Sequence, residues 1–153
     1  MMNTNRQFHA VLDTFTDFSI VAMHQILHER KIYLPRTFTA AKIYRLPVQQ
    51  SRHPGLCEYI NEVTTAVHRA ILSGTVKRIS IVIFVQNLPR EEFVFDISRL
   101  SQRILDTAGR EMEFEESFPL VDAEEQLRAA LSKLRDLASR WTLWMRKERL
   151  AWR

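Results

Sequence analysis

Cysteine and glycine are scarce in this chain of 153 residues, and each scarcity excludes a class of site. The single cysteine, Cys57, rules out a disulfide within the chain and a zinc site built from several cysteines. The three glycines form neither a GxGxxG nor a GxxxxGK[ST] pattern, so phosphate-cradling loops of those kinds are excluded. No stretch approaches the roughly 18 apolar residues of a membrane span, and no secretory leader begins the chain. We therefore expect a soluble intracellular protein.

The formal charge of +4 is unevenly distributed. Residues 1–139 carry 17 basic and 17 acidic residues, whereas residues 140–153 carry five basic residues and one acidic residue. We interpret residues 1–139 as a nearly neutral domain and residues 140–153 as a basic tail rich in tryptophan and arginine. The tail pattern favours a poorly packed terminus. The alternative is a nucleic-acid or membrane-surface binder that acts through this tail.

Helical periodicity is present in three segments. Apolar residues recur at spacings of three and four over residues 6–31, over 54–74 and from residue 122 to at least residue 138, which predicts three main helices. In the second helix, Ser51 or His53 supplies the cap, Pro54 suits the first turn and Gly74 is the expected terminator. Residues 99–121 are predicted to hold a short helix followed by a strand or loop.

Three further segments read as extended. Residues 42–48 form one extended segment, and Pro47 indicates an edge or irregular strand. Residues 78–86 are apolar on both alternating faces, which predicts a central strand of a covered sheet. With residues 91–98 they read as an antiparallel hairpin. The fold class predicted is α+β, with three helices packed on an antiparallel sheet that has a central hairpin.

No pattern in the chain indicates an enzyme, a metal site or a cofactor site. His24 and His28 are one helical turn apart, but the HExxH glutamate that a zinc protease needs is missing. Cys57 lies in the first turn of a predicted helix, where a thiol can become reactive, yet it has no histidine partner in a known motif. The pattern favours a structural cysteine. Tyr59 lies on the apolar stripe of the second helix, which favours a core role over a recognition role.

Several short motifs together resemble a known family. They are YxxPVQ at residues 44–49, HP at 53–54 followed by YI at 59–60, FVF at 93–95 and EQLRA at 125–129. Over roughly residues 8–137 the chain resembles the HORMA-domain family, and within it the branch of accessory subunits of DNA polymerase zeta. Members of this family are non-catalytic adaptors. In them a C-terminal safety belt traps an extended partner peptide on the sheet, which is a form of strand addition.

The resemblance implies partners and a location. The expected partners are a peptide of the polymerase zeta catalytic subunit, a translesion scaffold polymerase and a second HORMA domain. The expected location is the nucleus, with no direct nucleic-acid, membrane or cofactor binding. The alternative within the family is a spindle-checkpoint or meiotic HORMA adaptor.

The resemblance also implies site residues. Tyr59 matches the helix-two tyrosine that lines the peptide pocket, and Arg128 matches an arginine at the HORMA–HORMA interface, where Lys133 and Ala129 are also expected. Residues 140–153 show no match to the belt strands of the family. We therefore expect the C-terminal strands of the fold to be missing and the scaffold-polymerase surface to have no counterpart. We also expect a peptide of the catalytic subunit to bind weakly or not at all, because a peptide without the belt dissociates faster.

Overall fold

Helices and antiparallel hairpins alternate in the computed structural model, which describes residues 4–108 and 120–145. In chain order the elements are α1 (Thr4–Glu29), β1 (Phe38–Ile43), β2 (Leu46–Ser51), α2 (Pro54–Leu72), β3 (Arg78–Val85), β4 (Leu88–Asp96), α3 (Ser98–Ala108) and α4 (Leu120–Met145). The chain divides into two units, residues 1–61 with 118–153 and residues 62–117. The predicted α+β class is confirmed. Among the described residues, no helix has both the length and the apolarity that crossing a membrane requires.

The core of the first unit lies along one face of α1. Helix α1 packs against α4 and β2, and its apolar stripe is buried as the three- and four-residue spacing predicts. The side chains of Leu12 and Ala22 are fully buried and Phe18 is 1% exposed. The remaining buried apolar residues of this unit are Phe15, Ile26, Phe38, Val48, Leu56, Ile60, Leu131 and Leu134.

Strands β1 and β2 form a hairpin, so the prediction of one extended segment over residues 42–48 is wrong. The two turn residues, Tyr44 and Arg45, have φ values of 48° and 63°, which is the left-handed backbone that a two-residue hairpin loop requires. Asn-Gly is the usual signal for such a loop, and neither a tyrosine nor an arginine gives that signal. The strands pair from Phe38 opposite Ser51 to Ile43 opposite Leu46.

Helix α2 begins and ends where its capping residues predict. His53 Nδ1 accepts a hydrogen bond of 3.2 Å from the Leu56 amide, which satisfies one of the free donors of the first turn. The Ser51 hydroxyl in turn accepts the His53 amide at 3.1 Å. At the other end Gly74 has a φ of 70°, a conformation that glycine adopts without steric cost. Its amide donates to the Ile71 carbonyl at 2.8 Å.

Strands β3 and β4 form the hairpin of the second unit, as predicted. Their register places Arg78 opposite Asp96 and Val85 opposite Leu88. The prediction that residues 78–86 are central in a covered sheet is wrong for the part of the chain described. There β3 pairs with β4 alone, and one face of β3 is exposed while the other is half-buried. Apolar residues on both faces were therefore a misleading signal.

Helix α3 confirms the short helix predicted after the second hairpin. Asp96 caps it, because its Oδ1 accepts hydrogen bonds from the Ser98 amide at 2.9 Å and the Ser98 hydroxyl at 2.6 Å. These bonds, with help from Arg78 and Arg99, hold the pKa of the exposed Asp96 carboxyl below its usual value. The strand or loop predicted next lies largely outside the described residues.

Helix α4 confirms the third predicted helix, which was expected from about residue 122 to at least residue 138. It runs from Leu120 to Met145, so its backbone continues past residue 140, where the basic tail begins in the sequence. The rest of the tail, residues 146–153, lies outside the described residues.

Candidate functional site

Tyr59, the predicted peptide-binding residue, lies in the second turn of α2. Its side chain is 57% exposed, whereas its neighbours Leu56 and Ile60 are 5% and 0% exposed. The pattern-based expectation that Tyr59 fills the core is therefore wrong. Tyr59 sits at the border of the buried stripe, because successive residues of a helix are rotated by about 100° and Tyr59 therefore points away from the buried Ile60. Its hydroxyl has no hydrogen-bond partner among the described residues.

A second exposed aromatic, Tyr33, lies in the segment after α1 and contacts the residue that caps α2. The Tyr33 ring is 6.4 Å from the His53 ring, centroid to centroid, at an interplanar angle of 38°. Its neighbours Ile32 and Leu34 are also exposed. Because His53 is also the cap of α2, this contact ties the segment after α1 to the helix that carries Tyr59. The first unit thus exposes two tyrosines, Tyr59 on α2 and Tyr33 beside the cap of that helix.

The three residues expected at a HORMA–HORMA interface lie on α4. Arg128, Ala129 and Lys133 are all exposed, while Leu131 and Leu134 are buried. Ala129 and Lys133 are one turn apart and share a face. Arg128 is partly neutralised, because its Nη2 lies 3.8 Å from the Glu125 carboxylate. An exposed pair of this kind contributes little to stability, so the arginine remains available to a partner. Tyr59 lies on a different helix from these three.

The YxxPVQ motif has a structural role in the first unit. Tyr44 occupies the hairpin turn, and its hydroxyl donates to the Thr14 carbonyl of α1 at 3.3 Å. Burial, with the carboxylates of Asp17 and Glu124 nearby, raises the pKa of Tyr44 to about 12. Val48 is buried, and the Gln49 amide donates to Gln25 of α1 at 3.0 Å. The motif therefore holds the first hairpin against α1.

His24 and His28, the spaced pair on α1, have different surroundings. His24 is 4% exposed, and its Nδ1 accepts the Ser51 amide at 3.2 Å. Burial lowers the pKa of His24, so the neutral ring is the form that the fold favours. The His28 ring meets Phe38 edge-on at 5.1 Å. No cluster of three metal-ligating side chains occurs in the described part of the chain.

Cys57 has the environment of a structural cysteine. Its sulfur donates to the Ser51 carbonyl at 3.2 Å, so it adds to the contacts that join β2 to the start of α2. This geometry agrees with the prediction that Cys57 is a structural residue rather than a nucleophile.

A basic region around the first hairpin escaped the sequence analysis. Residues 30–57 include six lysines and arginines and no aspartate or glutamate. Four of the six lie in or next to the hairpin with exposed side chains, namely Arg36, Lys42, Arg45 and Arg52. Averaging charge over residues 1–139 concealed this region, and a shorter counting window would have found it.

The hairpin of the second unit leaves apolar side chains in solvent. On one face Val82 and Val94 are exposed, and Phe84 is 60% exposed. On the opposite face Ile79, Ile81 and the other alternate residues are half-buried. This exposed face is of the kind that marks interaction surfaces.

The amino-acid sequence is similar to those of several known proteins. The chain is 33% identical over 129 residues to a DNA polymerase zeta processivity subunit of Schizosaccharomyces pombe, a match that covers 84% of this chain and 60% of that protein. It is 36% identical over 90 residues to the mitotic spindle assembly checkpoint protein MAD2B of Homo sapiens, covering 58% of this chain and 43% of that one. The chain therefore spans about half the length of these curated relatives. No protein-family model matches it.

The fold has a counterpart among solved structures. A chain in the crystal structure of a mitotic checkpoint complex matches with a TM-score of 0.52 and 19% identity, over 69% of this chain and 66% of that chain. At this identity the likeness establishes the fold, while the sequence matches establish the kinship. The chain belongs to the HORMA-domain family, with relatives among the DNA polymerase zeta processivity subunits and the MAD2B proteins.

Proposed function

We propose that this protein is a non-catalytic adaptor of translesion DNA synthesis, which binds an extended peptide of the polymerase zeta catalytic subunit in the nucleus. Two of the relatives are named as processivity subunits, a term that describes assistance to a polymerase.

The observation that carries the proposal is the exposure of Tyr59. A tyrosine that is 57% exposed, on a helix whose next residue is fully buried, presents a rigid ring to a partner. Its hydroxyl, which has no partner among the described residues, adds a directional hydrogen bond. Large amphipathic side chains of this kind dominate the energetics of peptide interfaces.

The adaptor also needs a surface for its second contact. The exposed face of α4 with Arg128, Ala129 and Lys133 is the surface that we propose for a second HORMA domain or for the translesion scaffold polymerase. A small residue between two cations permits close approach of another helix, and the buried Leu131 and Leu134 fix the helix from behind.

The test is peptide binding by the full chain. Overlapping peptides of the polymerase zeta catalytic subunit from the same species are titrated by calorimetry against the wild type and Tyr59→Ala. We expect one peptide to bind, and Tyr59→Ala to weaken it by about 30-fold, the effect of losing a central aromatic anchor worth about 2 kcal/mol. Tyr59→Phe should lose only the contribution of the hydroxyl.

The matched control is Glu58→Ala, an exposed neighbour on the same helix. It should leave the affinity unchanged. Nanomolar binding that survives Tyr59→Ala, or the same loss in both variants, would show that Tyr59 is no anchor. If no peptide of the catalytic subunit binds, the assignment to polymerase zeta fails.

A checkpoint role is the second candidate, because several relatives carry the MAD2B checkpoint name. The same Tyr59 surface would then bind a peptide of a checkpoint protein. Peptides from spindle-checkpoint proteins, titrated in the same experiment, distinguish the two. Preferential binding of a checkpoint peptide would replace the polymerase assignment and keep the adaptor mechanism.

A further inference from the structure

The β1–β2 hairpin has one closed edge and one open edge, which follows from its register. In an antiparallel pair, alternate residues point their backbone groups away from the partner strand. The amides of Gln49 and Ser51 donate to α1 side chains, so on β2 the odd-numbered residues point outward. Their partners opposite are Ala40 and Phe38. Phe38, Ala40 and Lys42 therefore point their backbone groups outward from β1.

The β2 edge is fully occupied. Gln25 and His24 of α1 accept the two outward amides of Gln49 and Ser51, at 3.0 Å and 3.2 Å. The third outward position is Pro47, which has no amide hydrogen. The β2 edge therefore has no free amide donor to offer a further strand.

The β1 edge is open. The Phe38 amide donates to the Pro35 carbonyl, but the outward amides of Ala40 and Lys42 have no acceptor among the described residues. Both side chains are exposed, as is that of Thr39. Alanine and threonine are small enough for another backbone to approach. An edge of this kind offers alternating donors and acceptors to an extended chain.

Basic side chains surround this open edge. Arg36 precedes β1, Lys42 lies in it and Arg45 follows it at the turn, and all three are exposed. No acidic residue lies in the sequence from residue 30 to residue 57, and the carboxylates of Asp17 and Glu124 lie near Tyr44 at the turn end of the hairpin. The region therefore attracts an anionic partner and repels a second copy of itself, because two copies paired edge to edge would bring these cations together.

The backbone pattern of the edge distinguishes a peptide from a nucleic acid. A phosphate backbone offers acceptors only, whereas the β1 edge presents carbonyl acceptors as well as amide donors. A peptide strand satisfies both sets. The combination of donors, acceptors and positive charge fits an extended acidic peptide better than an oligonucleotide.

We propose that β1 is a second peptide-binding site, at which an extended acidic segment of a partner protein adds as a third strand. Its carbonyls accept the Ala40 and Lys42 amides, its own amides donate to the outward carbonyls of β1, and its carboxylates pair with Arg36, Lys42 and Arg45. This site uses none of the residues assigned to the Tyr59 surface. Its failure is therefore separable from that of the proposed function.

The test uses the full chain and a fluorescein-labelled nine-residue peptide in which glutamate alternates with threonine and valine. Fluorescence anisotropy gives the affinity for the wild type, for Ala40→Pro and for Arg36→Glu/Lys42→Glu. Proline at residue 40 removes one outward amide and spares the pairing with β2, a position that strands tolerate. We expect Ala40→Pro to weaken binding about three- to tenfold, and the charge reversal to weaken it at least about tenfold.

Two controls complete the design. Lys77→Glu/Arg90→Glu makes the same change of charge at exposed residues of the second unit, and Tyr59→Ala removes the other proposed anchor. Neither should alter the affinity. A probe N-methylated at alternate residues, on the face that would pair with β1, keeps its charge but loses its donors, and it should not bind. This probe decides the question even if Ala40→Pro lowers the helical signal in circular dichroism.

Four results would overturn the proposal. They are no binding of the probe, equal binding of its N-methylated form, tighter binding of a single-stranded oligonucleotide of equal charge, and a dimer seen by light scattering that excludes the probe. Equal binding of the methylated form means a charged patch without strand addition. Tighter binding of the oligonucleotide would mean that this surface binds nucleic acid. A dimer that excludes the probe would mean that it is a self-association surface.

Discussion

Acidification should loosen the attachment of β2 to α1, because a buried histidine accepts one of the strand's outward amides. His24 Nδ1 lies 3.2 Å from the Ser51 amide nitrogen, and the side chain is 4% exposed. A proton on Nδ1 abolishes this acceptor and puts a charge among apolar side chains. Burial therefore lowers the pKa of His24 from the ordinary value of 6.5.

The sign and size of the effect follow from proton binding. As the pH falls through 6.5, His24 takes up a proton in the unfolded chain, whereas in the folded protein it does so only at lower pH. Between these two values the unfolded state binds more protons, so the free energy of unfolding decreases as the pH falls. The slope is at most about 1.4 kcal/mol per pH unit, and the loss stops growing below the folded pKa.

The assay is urea unfolding followed by circular dichroism at several pH values between 5 and 7.5. Two variants isolate His24 from the other titrating groups. His24→Asn places an amide oxygen near the position of Nδ1 and cannot titrate in this range. His24→Leu also cannot titrate, and it leaves the Ser51 amide without a partner, which costs about 1–3 kcal/mol at neutral pH.

The result that matters is the difference in slope. Both variants should lose the part of the pH dependence that His24 contributes. His24→Leu should also be less stable than His24→Asn at neutral pH, because it leaves the Ser51 amide without an acceptor. Equal slopes for the wild type and both variants would refute the reasoning. A wild-type protein that gains stability on acidification, where the variants do not, would show that the fold favours the imidazolium.

Two further substitutions test the packing of the first unit by urea unfolding. Ile60→Ala should lower the free energy of unfolding by about 2–5 kcal/mol, since Ile60 is fully buried and the truncation leaves a cavity. Tyr59→Ala, one residue away, should cost much less because its ring is largely exposed, and a larger cost than Ile60→Ala would contradict the burial pattern. Tyr44→Phe removes the hydroxyl that reaches Thr14 and should cost about 0.5–1.5 kcal/mol; no change would mean that this bond does not hold the turn.

The helices were predictable because their signals are local. A hydrophobic spacing of three and four residues located α1, α2 and most of α4, and His53, Pro54 and Gly74 marked the ends of α2. These residues act on the backbone within one turn of their own position. The first hairpin was missed for the same reason, since Tyr44 and Arg45 give no local signal for a turn that tertiary contacts stabilise.

The site was predictable only in part. The resemblance of short motifs to HORMA domains pointed to Tyr59 and to Arg128, Ala129 and Lys133, and the relatives confirm the family. Pattern alone placed Tyr59 in the core, because an apolar stripe has no sharp border in the sequence. Its exposure depends on which neighbours cover each side of α2, and that is a property of the assembled unit.

Amino-acid order alone was sufficient for the fold class, the family, the second hairpin and the neutral balance of residues 1–139, since composition, periodicity and motif spacing can be counted along the chain. Three-dimensional packing was needed for the exposure of Tyr59, the burial of His24 and the open edge of β1. Each of these depends on contacts between residues distant in sequence, such as Ser51 with His24 or Gln49 with Gln25. Packing also decided where the positive charge acts, because it placed Arg36, Lys42 and Arg45 around the open edge of β1.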